Sequence, residues 1–99
     1  MEPNTNVVKP SEILEGLARR ELLSALDIIC RSRSVTREEV CGRGRTKNVS
    51  LARHELWTHL RRDPGMSYEE IGRLFDRDRT TIMAGVRAYA RAKAAWEPT

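Results

Sequence analysis

Residues 66–89, MSYEEIGRLFDRDRTTIMAGVRAY, hold two helix starts in quick succession. Ser67 has the side chain of an N-cap, Glu70 stands three residues on to complete a capping box, and Met66 and Ile71 occupy the two positions of a hydrophobic staple. A helix therefore begins near Tyr68. It ends near Phe75, because Asp76, Arg77 and Asp78 interrupt the apolar pattern. Asp78 stands as the cap of a second helix whose inner face carries Ile82, Val86 and Tyr89. Two capped helices joined by about three residues form a helix-turn-helix, a motif whose second helix presents its first turn to base edges in the major groove of DNA.

The flanks supply the rest of a small helical domain. A helix over residues 50–62 buries Leu51, Leu56, Trp57 and Leu60, and Asp63-Pro64-Gly65 ends it as a turn. Before it runs Gly42-Arg43-Gly44-Arg45-Thr46-Lys47-Asn48, with three cations, two glycines and no apolar residue, which places it on the surface as a loop. Thr36 and Glu39 make a further capping box, so Arg37 to Cys41 is one short helix stopped at Gly42. Ser11 caps a long helix over residues 12–32, where Leu14, Leu17, Ala18, Leu22, Ala25, Leu26 and Ile29 recur at helical spacing. That stripe is most simply covered by the rest of the domain, and otherwise by a second copy or a partner protein. The expected organisation is a flexible lead over residues 1–10, an N-terminal helix within 11–34 and a helix-turn-helix domain over 35–97. No strand candidate, repeat or low-complexity tract appears, and the fold class is all-α with about five helices.

Composition narrows the function classes. Ninety-nine residues make one domain with a modest core. Residues 1–30 carry three Lys/Arg against five Asp/Glu, whereas residues 31–99 carry fifteen against nine, so the basic part is the part with the motif. Fifteen of the eighteen cations are arginine, the side chain suited to bidentate contact with phosphate and guanine, although a GC-rich genome yields the same bias. Cys30 and Cys41 lack the second pair that a zinc ribbon needs, and two reduced, buried thiols are expected. His54-Glu55 with His59 is an HExxxH spacing, which turns the two imidazoles about 140° apart and rules out the HExxH zinc site. No nucleophile triad, phosphate loop or carboxylate pair stands out, so the chain does not read as an enzyme and needs no cofactor. No signal peptide or membrane span is legible, which points to the cytoplasm and nucleoid.

Within the motif, Thr80 and Thr81 have the chemistry to bond base edges or touch a thymine methyl, and Arg79 to read guanine or hold phosphate. Asp78 accepts from cytosine or simply caps its helix. Arg43, Arg45 and Lys47 alternate along the glycine-bearing loop, which lets one arginine enter a minor groove while the others meet phosphates. The plain alternative for all of these is solvent exposure.

Taken together, residues 35–89 resemble the C-terminal DNA-binding domain of the bacterial chromosomal replication initiator DnaA, a Trp-repressor-like helical fold. The family's Ala-Arg-Gln segment is matched by Ala52-Arg53-His54, its Ser-x-x-Glu-Ile-Gly helix by Ser67 to Gly72, and its Gly-Arg-Asp-His-Thr-Thr motif by Asp76-Arg77-Asp78-Arg79-Thr80-Thr81. Arg79 replaces a histidine, and the turn after Phe75 is one residue shorter than the family's glycine pair. The resemblance implies that Arg45 enters the minor groove beside Arg43 and Lys47, that Arg53 meets the DNA backbone, and that Asp78, Thr80 and Thr81 meet bases. The full candidate set is Arg43, Arg45, Lys47, Arg53, His54, Arg77, Asp78, Arg79, Thr80 and Thr81. With no Walker motif in these residues, it implies the reader without the motor: a sequence-specific double-stranded DNA-binding protein of phage, prophage or accessory type that regulates transcription. The alternatives are an origin-binding accessory or competitor of the initiator and, from another class, a helical adaptor binding a partner protein through residues 12–32.

Overall fold

The computed structural model describes residues 9–96, and in them the chain forms six helices and no strand. These are α1 (Pro10–Arg19), α2 (Leu23–Arg33), α3 (Arg37–Cys41), α4 (Lys47–Arg62), α5 (Tyr68–Phe75) and α6 (Arg79–Trp96). The expected lead lies outside the described residues as far as position 8. Of its last two residues, Lys9 is the N-cap of α1 and Pro10 the first residue of its first turn, so the cap stands two places before the expected Ser11. Proline suits that turn because its missing N–H would have no intrahelical partner there.

The single helix expected over 12–32 is two helices. Glu21 takes a left-handed φ of 59°, and the Leu22 N–H turns back to the Leu17 carbonyl at 2.9 Å, which closes α1. The two halves of the apolar stripe share α3 but differ in their other neighbour: α1 also packs on α5, α2 chiefly on α4. One straight helix cannot bring Leu17 and Leu26, both fully buried, against both. The stripe is covered within the domain through Ile13, Leu17, Leu26, Ile29 and Cys30, although Ala18 and Ile28 lie outside it.

Where capping is local, the helices start as the sequence says. Thr36 Oγ1 accepts from Glu39 N at 3.1 Å while Thr36 N donates to the Glu39 carboxylate at 2.9 Å. Ser67 and Glu70 repeat the exchange at 3.0 and 2.8 Å. Helix α4 differs, starting at Lys47 rather than residue 50, with Thr46 extended ahead of it and no side-chain cap bond. Burial of Val49, a residue the loop reading left out, draws that first turn onto the domain. The basic loop is therefore Gly42 to Thr46, and Lys47 and Asn48 stand on the helix.

The core is centred on Trp57 of α4, whose ring meets Phe75 edge-on at 5.8 Å. Leu56, Leu60, Ile71 and Ile82 close around it. Gly85 marks the crossing of α4 and α6: a Cβ there would stand 2.6 Å from Trp57 Cε3 and 2.7 Å from His54 Cδ2. Both thiols are buried and free, and burial pushes Cys41 up to about 12, so it stays protonated at neutral pH.

Candidate nucleic-acid interface

The turn between α5 and α6 is built by backbone. Asp76 caps α5 at a φ of 57°, a left-handed conformation that Asp tolerates better than most side chains, and Arg77 N donates to Gly72 O at 2.8 Å. A Cβ on Gly72 would meet Arg77 O at 2.5 Å, so the tightness of this turn requires glycine. Asp78 then precedes α6, and its carbonyl accepts from Thr81 N and Ile82 N at 3.0 and 3.2 Å. Asp78, Arg79, Thr80 and Thr81 are all exposed on this first turn.

The basic loop lies against that turn. Arg77 Nη2 donates to Gly42 O at 3.1 Å, and Arg43 Nη2 donates to Asp76 O at 3.1 Å and to its carboxylate at 3.3 Å. Arg43, Arg45, Ser50, Arg53, His54 and Arg77 line one cleft between loop, α4 and turn. Glu69, Gly72, Arg73, Asp76, Asp78 and Arg79 line an adjoining open groove that shares Arg77; its three carboxylates face three arginines, so the excess of positive charge comes from the cleft. Two stretches 33 to 35 residues apart in the chain thus form one cationic surface. Lys47 is exposed at the start of α4, next to the loop.

Arg53 requires a correction. Expected against the DNA backbone, it is 4% exposed, and its guanidinium donates to Val40 O at 2.8 Å, Glu39 O at 2.9 Å and Gly44 O at 3.0 Å. It ties the last carbonyls of α3 to the middle of the basic loop, sharing Glu39 O with the Gly42 N–H, which donates to it at 3.2 Å. Burial first, then the neighbouring Arg77 and Arg43, push it down to about 10, which leaves it charged at neutral pH. Its role here is to build the loop from beneath.

His54 lies half-buried beside the same cleft, its ring 5.4 Å from that of Trp57. Burial, with Arg53 and Arg77, lowers its pKa below the usual 6.5. Below that value the unfolded chain takes up a proton that the folded chain refuses, so this site contributes stability above it and loses it as pH falls toward the folded pKa. We expect the melting temperature to drop between about pH 7 and pH 5, and His54→Gln to flatten that part of the profile. An unchanged slope in the variant would remove His54 as the cause. His59 lies elsewhere, 3.6 Å from the Asp63 carboxylate.

Sequence reasoning missed Asp76, Ser50 and Gly85. Asp76 looked like a helix breaker, and the only trace of its second role was a non-glycine residue where a left-handed cap was needed. Gly85 carried a weak signal, a glycine on the inner stripe of a helix, which marks close approach of a neighbour.

Comparison with known proteins points to one family. Two curated relatives are both named chromosomal replication initiator protein DnaA. The one from Oleidesulfovibrio alaskensis is 29% identical over 84 residues, covering 81% of this chain and 18% of the relative. The one from Thermomicrobium roseum is 36% identical over 91 residues, covering 86% and 20%. The chain therefore spans about a fifth of the length of the curated relatives it matches. No solved structure matches. The family described as bacterial dnaA protein helix-turn-helix matches residues 24–88, beginning within α2 rather than at Val35, and the chain belongs to that family.

Proposed function

We propose that this protein binds double-stranded DNA sequence-specifically, with the first turn of α6 in the major groove and the Arg45 loop in the adjacent minor groove. The observation that carries the reading is the pair of contacts Arg43 to Asp76 and Arg77 to Gly42, which bring the loop and the turn before α6 onto one cationic surface. Readers of this kind combine a helix in the major groove with an arm or loop in the minor one. Thr80, Thr81 and Arg79 have the donors and methyl groups for base edges, and Lys47 the charge for a phosphate. Arg45, exposed on the loop, is the arginine for the minor groove.

Selection of bound duplexes from a random pool tests this reading. A short consensus should emerge, and Arg45→Ala or Thr81→Ala should weaken the selected site by roughly 1–3 kcal/mol while changing random duplex far less. Equal losses on both duplexes would reduce the surface to a non-specific phosphate grip. Binding weaker than about 10⁻⁴ M for every duplex at about 150 mM salt would favour the adaptor instead.

Two cellular roles fit such a reader. Regulation of transcription is the role expected from the sequence, while a replication-linked role has the names of both relatives in its favour. Genomic occupancy separates them, with peaks at an origin for replication and at promoters for transcription.

A further inference from the structure

Three arginines fold back onto the carbonyls around the basic loop, and one of them differs in kind. Among the described residues, Arg53 and Arg77 give hydrogen bonds to loop and α3 carbonyls only. Arg43 leaves the loop, crosses to the turn before α6 and meets both the carbonyl and the carboxylate of Asp76. Arg77, the next residue after Asp76, reaches back to Gly42, the residue before Arg43. The contacts run in opposite directions between the dipeptides Gly42-Arg43 and Asp76-Arg77, and together they form a reciprocal clasp. The Arg43 and Asp76 side chains are 59% and 38% exposed, so their ion pair contributes little stability by itself. Its consequence is positional: an arginine on the cationic face already has a carboxylate from its own chain.

We infer that Asp76 is a specificity-determining residue of this surface. By holding Arg43 in the clasp it withholds that arginine from the phosphates of arbitrary sequence and keeps the loop at a fixed offset from the first turn of α6. This rests on the DNA-binding reading above. A cation free to meet any phosphate raises affinity for every duplex alike and steepens its salt dependence, whereas a fixed offset between two groove-reading elements favours duplexes that place the right bases at both. Arg43, expected from the sequence at a phosphate, acts on a selected site as a strut.

The test uses Asp76→Gly, Asp76→Asn and the double variant Arg43→Ala/Asp76→Gly, each titrated with a selected duplex and a random duplex of equal length across a salt series. Glycine suits the left-handed φ and asparagine tolerates it, so both single variants should keep the parental melting curve. Asp76→Gly should bind the random duplex about three- to tenfold tighter, with a log–log salt slope steeper by about 0.9, and its preference for the selected duplex should fall by a similar factor. Asp76→Asn, which keeps an acceptor but no charge, should fall between. In the double variant the added slope should vanish, because the released cation is gone. A parental preference retained in Asp76→Gly, or a slope gain that survives loss of Arg43, overturns the inference alone. A parent protein that binds no duplex overturns the DNA-binding reading and this inference with it.

Discussion

Arg53→Ala is expected to lower folding stability by about 2–4 kcal/mol: hydrogen bonds to a charged donor are worth about 1.5–3 kcal/mol each, but of the three carbonyls Glu39 O keeps the Gly42 N–H, and losing the guanidinium also relieves the cost of burying its charge. Val40 O is the most costly of the three, since its bond is buried whereas those of Glu39 O and Gly44 O are part-buried and can recruit water. A urea titration checks the figure: the midpoint should fall with an unchanged m-value. Arg53→Lys should recover only part of the loss, because an ammonium does not present the fork that reaches three carbonyls in different directions. Selected-site affinity should fall with stability although Arg53 is buried, since Gly44 lies at the centre of the loop that it holds. A variant that unfolds at the parental midpoint would show that the loop stands without its internal arginine.

Trp57→Ala should cost about 3–5 kcal/mol, much of the stability of a domain this size, by opening a cavity beneath Phe75, His54 and Gly85. Gly85→Ala should cost about 1–3 kcal/mol for the opposite reason, since the new methyl meets the indole ring and imidazole at under 3 Å and forces α4 from α6. Combined, the two substitutions should cost less than their sum, because the methyl enters space that the indole has left. Trp57→Phe should be milder than Trp57→Ala. It keeps an aromatic ring against Phe75 and removes a buried Nε1 with no hydrogen-bond partner among the described residues. Strict additivity in the double variant would mean that Trp57 and Gly85 do not share the crossing.

The helices whose starts were legible are those fixed by side chains three residues from their partners. Thr36 with Glu39 and Ser67 with Glu70 are local exchanges, and α3 and α5 begin where those pairs require. The break between α1 and α2 had no such mark. No Gly or Pro stands between Ala18 and Leu22, the apolar stripe runs through without a gap, and the left-handed turn is taken by Glu21. The late start assigned to α4 has the same origin: Lys47 and Asn48 look like loop until Val49 is seen to be buried.

Composition and spacing alone determined an all-α domain, a helix-turn-helix within residues 66–89 and a basic loop upstream of it, because helix periodicity, capping and charge are carried by neighbours in sequence. Tertiary structure decided which cation does what. Arg43, Arg45, Arg53 and Arg77 are chemically alike. Arg53 became a buried brace, Arg43 and Arg77 a clasp, and Arg45 an exposed residue only when folding put the loop of residues 42–46 against the turn of 76–78. Burial and the supply of carbonyls with a lone pair to spare set an arginine's role, and both come from segments distant along the chain.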